Sequence, residues 1–374
     1  MGEFDSGLWS ALPPDIWERV LACLPERALC RFRSVCKGWR SLIANSSFRE
    51  LRGELHQKES TVMVTNGHKV VAFYERDENK WSVIDVLFLR AAFAAIGVKN
   101  YKIEAAEGSL LAVWSASKNE KVKAVVICNP VAKTWRYLPP MVIHMAIRTV
   151  VHMVVDSETS ALRMFVLGFE NHTATEPLFQ IYDSVLDSWR LCSYPSRIFQ
   201  SSRPLSGLLY NGTFHALFYD IVAQNHVLMA YNMGEDVWAD VRVHFPRFFV
   251  TGQLLVAKSR LYLVTPCKET GGQPSRYVLN LDISEVQIPA GLCTRVTELP
   301  SSVFNLLFGS SHRVSLDSWV TMVFDQSICF VSYVGQAVVH DEVADQWQPM
   351  VPYSIGKGGQ LFGSSFTIDV CMPV

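Results

Sequence analysis

Apolar side chains recur at helical spacing through the first sixty residues of the chain. In the segment LPPDIWERVLACLP, the positions Ile16, Val20, Leu21 and Leu24 fall on one face of a helix, next to Trp17. A proline in the first turn and another after the last apolar position are typical of the two ends of such a helix. The pattern therefore predicts a short amphipathic helix.

A second helical run follows in ERALCRFRSVCKGWRSLIAN. Its apolar positions are Leu29, Phe32, Val35, Cys36, Trp39, Leu42 and Ile43. Gly38 weakens a continuous helix, so we expect a break near it. Because Cys36 shares the apolar stripe with Trp39, we interpret it as a small buried hydrophobe and not as a reactive thiol, despite its cationic neighbours. A third short helix is predicted around Phe48.

From about residue 60 the pattern changes to short β-branched and aromatic runs separated by polar turns. Most of these turns precede a tryptophan: Trp81, Trp135, Trp189, Trp238 and Trp347. The spacings are 54, 54, 49 and 109 residues, and because the last is about twice the others, one repeat lacks its tryptophan. Val296 takes that place when TRVTELP is aligned with TWRYLPP. We therefore expect six repeats.

Four strands in a period near 50 residues are typical of a kelch-type β-propeller blade. We expect each tryptophan in the outer strand, where its ring covers the joint between neighbouring blades. The first blade shows only three strand-like runs, STVMVT, KVVAFYE and KWSVIDV. The C-terminal run SSFTIDVCM is predicted to supply the missing inner strand, which closes the ring and leaves few open sheet edges.

The order of residues in the helical part carries a family resemblance. LPPDIWERVLACLPERALCRFRSVCKGWRSLI closely resembles the F-box over residues 9–50, and with the blades it resembles plant F-box/kelch-repeat proteins. The prediction is an α+β multidomain chain with a small N-terminal helical F-box at 9–58. An all-β six-bladed kelch-like β-propeller follows at 60–374, closed by the C-terminal strand. The blades lack the Gly-Gly doublets typical of kelch repeats, because Gly271-Gly272 and Gly358-Gly359 lie in loops. An F-box-associated β domain of another topology therefore stays an alternative.

The resemblance implies a partner and a role. F-box helices dock on a Skp-family adaptor, which joins them to the cullin and RING subunits of a ubiquitin ligase. The chain would then be a non-catalytic substrate-recognition subunit whose propeller loops bind a target protein. By position in the motif, the adaptor interface and the small core are expected to share Leu12, Pro13, Ile16, Val20, Leu21, Leu24, Leu29, Phe32, Val35, Cys36, Trp39 and Leu42. A propeller that senses a small molecule or sugar is the second hypothesis, and an enzyme is the third.

Variable connections on a rigid scaffold usually carry binding. The longest and least repeat-like connections are 88–102, 138–148, 196–204, 247–253 and 301–313. Aromatic and arginine side chains are frequent hot spots of interfaces. The target-binding candidates are therefore Phe199, Arg203, Arg247, Phe248, Phe249, Phe304 and Phe308. Alternatively, several of them plug the ring or touch the F-box helices.

Composition restricts the partners and the compartment. A formal net charge of −1 over 374 residues gives no field that attracts a polyanion, so nucleic acid is not expected as a partner. The nine cysteines form no CxxC pair, which favours free thiols in a reducing compartment. We find no signal segment or membrane-length run, and expect a cytoplasmic or nuclear protein without membrane contact. MGEFDS fits the myristoylation pattern at Gly2, but Glu3 and Asp5 oppose an anionic surface.

Motifs that would indicate catalysis are missing from the sequence: GxSxG, Walker A, GxGxxG and HExxH do not occur. The histidines lack metal-ligand spacing, and His144 and His152 are interpreted as a loop that enters a strand. The carboxylates of DEVAD, Asp341 to Asp345, are interpreted as a solvated turn. We expect no catalytic residue, no metal site and no cofactor.

Overall fold

The computed structural model describes residues 13–55, 60–66, 70–115, 124–156, 159–194, 202–245, 249, 251–267, 277–278, 280–309, 314–315, 318–355 and 361–374. In these ranges four short helices come first: α1 (Pro14–Ala22), α2 (Glu26–Phe32), α3 (Lys37–Ile43) and α4 (Ser46–Leu55). Pro13 and Pro25 directly precede α1 and α2, where a helix tolerates a residue without a backbone donor. None of the helices in the described ranges is long and apolar enough to cross a membrane.

The predicted break in the second helical run lies between α2 and α3. A turn at residues 33–35 ends α2, and Cys36 then adopts an extended backbone with φ −151°. The Cys36 Sγ accepts a hydrogen bond from the Trp39 N–H at 3.4 Å, so this side chain caps α3. Cys36 is exposed. Its predicted burial is therefore wrong for the free chain, because the turn removes it from the continuous helical stripe.

Six four-stranded antiparallel sheets follow, and their strands are named here from the inner to the outer position. Blade 1 contains β26 (Phe362–Thr367), β1 (Ser60–Thr65), β2 (Val70–Glu75) and β3 (Lys80–Asp85). Blade 2 contains β4 (Tyr101–Glu107), β5 (Leu110–Ser115), β6 (Val125–Asn129) and β7 (Thr134–Tyr137). Blade 3 contains β8 (Ile147–Val155), β9 (Leu162–Phe169), β10 (Leu178–Asp183) and β11 (Ser188–Cys192).

The other three blades have the same order. Blade 4 contains β12 (Ser202–Tyr210), β13 (Thr213–Asp220), β14 (Asn225–Asn232) and β15 (Val237–Asp240). Blade 5 contains β16 (Gln253–Ala257), β17 (Arg260–Cys267), β19 (Asn280–Gln287) and β20 (Leu292–Glu298). Blade 6 contains β22 (Trp319–Phe324), β23 (Ser327–Ser332), β24 (Ala337–Asp341) and β25 (Gln346–Pro349). Outside the blades lie the pair β18 (Tyr277–Val278) and β21 (Val314–Ser315), and the helices α5 (Leu89–Ala95) and α6 (Ser301–Phe308).

The six blades form a closed ring. Each inner strand contacts the inner strands of both neighbouring blades, in the circular order β26, β4, β8, β12, β16 and β22. Blade 1 combines both ends of the propeller, because β26 pairs with β1 from Phe362 opposite Thr65 to Thr367 opposite Ser60. The predicted six-bladed propeller with its closing C-terminal strand is thus confirmed, and the alternative of another β topology is wrong.

The repeated tryptophans lie in the outer strands, as predicted, and Val296 occupies the corresponding strand of blade 5. Three of the indoles, those of Trp81, Trp189 and Trp238, also connect blades. The Nε1 of Trp189 donates to the carbonyl of Pro139 at 2.9 Å, and that of Trp81 donates to Val351 at 2.8 Å. In both pairs the acceptor stands four residues after the tryptophan position of the preceding blade. Each of these indoles therefore covers a joint between blades.

The antiparallel strand order divides the connections between two faces of the ring. One face, which we call the loop face, carries the described residues of the connections between successive blades, and the turns between second and third strands. The opposite face, which we call the turn face, carries the turns within the other two hairpins of each blade. Because β1 begins and β26 ends on the turn face, the N-terminal helices pack there, against Val131, Ala132, Val370 and Cys371.

Candidate functional site

The N-terminal helices expose part of their apolar surface. Ile16 and Val20 on α1 are 39% and 38% exposed, and Val35 in the turn before α3 is 64% exposed. The opposite side of the same helices is fully buried, with Leu21 at 1% and Leu29 at 0%. Because the core is already complete on its inner side, the outer side chains are available for a partner.

Aromatic rings connect the three helices beneath this surface. The Trp39 ring centroid lies 4.8 Å from that of Phe32 and 5.8 Å from that of Trp17. All three rings are half-buried. A cluster with one side packed and the other accessible is the arrangement in which aromatic residues act as anchors of an interface.

The helices that carry the exposed apolar side chains also carry exposed cations. Arg19, Arg31, Lys37 and Arg40 are exposed on α1, α2 and α3. The Arg40 Nε donates to the Arg33 carbonyl at 3.3 Å, which holds this side chain across the turn. Exposed cations and exposed apolar side chains on the same helices fit a partner whose surface is acidic and apolar.

The structure divides the predicted interface residues by burial, a division that the sequence alone did not give. Leu21 and Leu29 belong to the buried core, while Leu24, Phe32, Trp39 and Leu42 are half-buried. The exposed members are Pro13, Ile16, Val20, Val35 and Cys36. Leu12 lies outside the described residues. The accessible part of the predicted set therefore consists of these five exposed residues and the accessible edges of the half-buried ones.

All five segments chosen as target-binding connections join the outer strand of one blade to the inner strand of the next. The described residues of these connections consequently lie on the loop face, opposite the helices. Two of them are not simple loops. Segment 88–102 contains α5, which buries Leu89 and Phe93, and segment 301–313 contains α6, which buries Phe304 and Leu307.

The individual target-binding candidates have unequal exposure. Arg203 is exposed. Phe249 is only 4% exposed, with its ring centroid 3.5 Å from that of His226, so this side chain lacks the surface that a direct target contact requires. Phe304 is 9% exposed and Phe308 is half-buried against the same core. Phe199, Arg247 and Phe248 lie outside the described residues.

Among the exposed apolar side chains of the loop face that sequence reasoning missed, three belong to α6 or to a turn near it. Leu306 is 43% exposed on α6, and Tyr333 and Val334, in the turn between β23 and β24, are 39% and 65% exposed. Helix α6 packs against β23 and β24, which brings this turn near the helix. The sequence did contain a signal for the exposure of Leu306, because this residue falls outside the buried apolar stripe of α6.

Residues 9–51 match the F-box domain as a protein family. This stretch of the chain is an F-box domain. It is 25% identical over 291 residues to the protein UNUSUAL FLORAL ORGANS of Arabidopsis thaliana, an overlap of 71% of this chain and 62% of that protein. Two further relatives from the same plant cover shorter stretches.

SKP1-interacting partner 15 is 23% identical over 35% of this chain and 38% of its own length. A putative F-box/kelch-repeat protein is 30% identical over 34% of this chain and 32% of its own length. The F-box chain thus spans about three fifths of the first relative and about a third of the other two. Among solved structures, TolB from Acinetobacter baumannii aligns with a TM-score of 0.48 and 11% identity, over 82% of this chain and 66% of that chain.

Ionisable groups inside the propeller of this F-box protein serve packing. Glu104 on β4 forms a two-pronged ion pair with Arg148 on β8, so the pair joins blades 2 and 3. The Arg148 guanidinium also lies 5.4 Å from the ring centre of Trp114. Burial lowers the pKa of His152, on the same strand, to about 4, so this imidazole is neutral near pH 7. In the described ranges, no three His, Cys, Asp or Glu side chains meet in a group that could hold a metal ion.

Two carboxylates of the DEVAD turn contact other side chains. Glu342 accepts a hydrogen bond from the Tyr262 hydroxyl of blade 5 at 2.6 Å, and Asp345 lies 3.1 Å from His340 Nε2 in its own blade. Asp345 is 77% exposed and Val343 is 84% exposed, so the turn is solvated as interpreted. In addition, Glu342 connects this turn of blade 6 to the second strand of blade 5.

Proposed function

We propose that this chain is a non-catalytic substrate-recognition subunit of a Skp–cullin–F-box ubiquitin ligase. The observation that carries the proposal is the exposed apolar surface of Ile16, Val20 and Val35 on a helical unit that already has a complete inner core. That surface lies within the stretch that matches the F-box domain. The name of the relative SKP1-interacting partner 15 adds support for a Skp-family adaptor as the partner.

The target protein is assigned to the loop face. The F-box helices pack on the turn face, so a target on the loop face leaves the adaptor surface accessible. One chain can then hold the ligase and the target at the same time, which makes ubiquitin transfer effectively intramolecular. In this proposal the chain supplies proximity and orientation, and the chemical groups of the transfer belong to other subunits.

Binding to a recombinant Skp-family adaptor tests the first half of the proposal. The full chain is compared with a variant that carries Ile16→Asp and Val20→Asp, which places two charges in the apolar surface. The control is Val185→Asp, because Val185 is 75% exposed on blade 3. We expect the double variant to lose co-purification with the adaptor and the control to retain it. Equal recovery of the adaptor with all three proteins would contradict the assignment.

Proximity labelling in cells with an inhibited proteasome tests the second half. A biotin ligase is fused to the full chain and to the Ile16→Asp, Val20→Asp variant. A true target is labelled by both fusions and accumulates with the variant, because the propeller still binds it while the ligase is no longer attached. A third fusion carries Val334→Asp and Leu306→Asp on the loop face and serves as the reference. If the first two fusions label no protein more strongly than this reference does, the proposed target face is wrong.

A further inference from the structure

The F-box helices share their hydrophobic core with the residues that follow the last propeller strand. Val370 and Cys371 are 4% and 5% exposed. They pack in the same cluster as Leu21, Leu29 and Phe48 of the helices. These two residues are therefore part of the F-box core although they are joined in sequence to blade 1. Met372, the next residue, packs in the core of blades 2 and 3. We call the segment Asp369–Met372 the clasp.

A buried ion pair fastens the clasp to the helices. Glu26 at the start of α2 pairs with Arg52 of α4 through its Oε1, at 2.7 Å. Its Oε2 accepts a hydrogen bond from the Val370 N–H at 3.1 Å, and Arg33 Nη1 donates to the Val370 carbonyl at 3.4 Å. Arg52 also donates to the carbonyls of Ala22 and Leu24, both at 2.7 Å. One carboxylate thus connects two helices and the clasp.

Asn129 fastens the same segment to the propeller. Its side chain is fully buried at the end of β6 in blade 2. The amide Nδ2 donates to the Asp369 carbonyl at 2.8 Å and to the Met372 carbonyl at 3.1 Å. The Oδ1 accepts from the N–H groups of Val131 and Ala132 in the turn of its own blade. Asn129 therefore uses both ends of its amide, one for the turn and one for the clasp.

Comparison with blades 3, 4 and 6 shows that the hydrogen bonds to the turn recur, whereas the hydrogen bonds to the clasp belong to blade 2. The position six residues before the tryptophan is Asp183 in blade 3, Asn232 in blade 4 and Asp341 in blade 6. The side-chain oxygens of all three accept backbone N–H groups of the following turn. An aspartate satisfies that turn. Only the donor nitrogen of an asparagine can also bond the two clasp carbonyls.

We propose that the clasp fixes the F-box in one orientation on the turn face, and that Asn129 is the positioning residue for this orientation. The chain between α4 and β1 joins the helices to blade 1, Val131 and Ala132 in the turn of blade 2 pack against them, and the Arg49 Nη1 donates to the Ser160 Oγ of blade 3 at 3.2 Å. The clasp adds a contact that is hydrogen-bonded to the helices on one side and to blade 2 on the other. Together these contacts remove the rotation that the chain connection alone permits. The distance between the adaptor surface and the loop face is then set by the fold. The consequence for ubiquitin transfer rests on the proposed function, while the orientation itself does not.

The distribution of distances between the F-box and the propeller tests this proposal. Donor and acceptor dyes are attached through unnatural amino acids placed at Glu50 on α4 and Val222 on blade 4, both of which are exposed. Single-molecule energy transfer is measured on the full chain, on Asn129→Asp and on Asn232→Asp. Asn129→Asp keeps the oxygen that holds the turn and replaces the donor to the clasp by a second oxygen. Asn232→Asp makes the same change in the blade that does not contact the clasp.

We expect one narrow distribution for the unmodified chain and for Asn232→Asp, and at least a twofold wider one for Asn129→Asp. Adaptor affinity of Asn129→Asp should stay within about threefold of the unmodified chain, because its change lies outside the F-box. A narrow distribution in folded Asn129→Asp would overturn the proposal. If Asn129→Asp fails to fold, Val370→Asp takes its place, with Val343→Asp as the control and the same criterion of width. An unmodified chain that binds no adaptor but keeps its narrow distribution would overturn the proposed function and leave the orientation supported.

Discussion

The indole Nε1 of Trp238 in blade 4 donates a hydrogen bond to the carbonyl oxygen of Ser193, at the end of blade 3, over 2.9 Å. Ser193 stands four residues after Trp189, the tryptophan of that preceding blade. The same relation joins Trp189 to Pro139 and Trp81 to Val351. A repeated residue of the sequence thus becomes a repeated hydrogen bond between blades, and the last of these bonds connects blade 6 to blade 1.

Removal of this bond should destabilise the ring. Trp238→Phe keeps an aromatic ring but leaves the Ser193 carbonyl without its donor, so we expect a loss of about 1–2 kcal/mol in the free energy of unfolding. Trp135→Phe is the matched control, because Trp135 is 39% exposed and contacts Tyr137 of its own strand. Urea denaturation of the full chain gives both values. Equal losses in the two variants would show that the inter-blade bond contributes nothing specific.

The Arg52–Glu26 pair should be far more important than an ion pair at the surface. The two side chains are only 9% and 19% exposed, so Arg52→Met leaves a carboxylate that is buried without its cation. We expect a loss of about 3 kcal/mol in the stability of the helices. The comparison is Arg76→Met, which breaks a pair with Asp325 whose members are 60% and 57% exposed. That change should cost less than about 1 kcal/mol. Hydrogen exchange of the α2 and α4 amides measures the first effect, and similar exchange in both variants would contradict it.

Glu107 gives the stability of the propeller a defined dependence on pH. Burial raises the pKa of this carboxyl from 4.5 to about 7. The folded chain therefore keeps a proton that the unfolded chain releases, and stability falls as the pH rises from about 4.5 to about 7. Glu107→Gln removes this loss and should be more stable than the unmodified chain above pH 7, by up to about 3 kcal/mol, with no advantage near pH 4.

Unfolding midpoints across this pH range check the Glu107 prediction. Glu50→Gln, at an exposed position of α4, should follow the profile of the unmodified chain. Parallel profiles for Glu107→Gln and the unmodified chain would mean that this carboxyl does not change its protonation on folding.

The exposed thiols report directly on the adaptor surface. Cys36 and Cys23 are exposed, whereas Cys128 and Cys329 are fully buried. Iodoacetamide should modify the first two in the native chain and spare the other two. Addition of the Skp-family adaptor should protect Cys36, which caps α3 beside the apolar surface, and leave the reactivity of Cys23 unchanged. Mass spectrometry of the modified peptides gives the rates, and equal reactivity of Cys36 with and without adaptor would place the interface elsewhere.

The blades could be predicted from the sequence because each repeats a local pattern. A strand pair, a polar turn and a tryptophan recur, so Trp81 to Trp347 give the number of blades and the position of their outer strands. The closing strand was predictable for a related reason. Blade 1 had three strands where its neighbours had four, and an unpaired edge requires a partner.

The remaining features depend on contacts between distant parts of the chain. Phe249 and Phe304 are aromatic residues in connections, which is typical of a binding loop, yet they pack in the core. The sequence could not separate these two roles, because an apolar residue in a connection is compatible with both. Cys36 does not share the predicted apolar face of the helix, because a turn of three residues separates α2 from α3. The hydrogen bond between Glu26 and the Val370 N–H joins residues that are 344 positions apart, so no local sequence pattern predicts it.

A calorimetric titration of a Skp-family adaptor into the full chain and into Val35→Asp tests the central claim most directly. Val35 is 64% exposed, so the substitution places a charge in the proposed interface without disturbing the core. Val343→Asp, at a position on blade 6 that is 84% exposed, is the control. The account predicts at least about a 100-fold loss of affinity for Val35→Asp and none for Val343→Asp, with the unfolding midpoint unchanged. Equal adaptor affinity in Val35→Asp and the unmodified chain would contradict it.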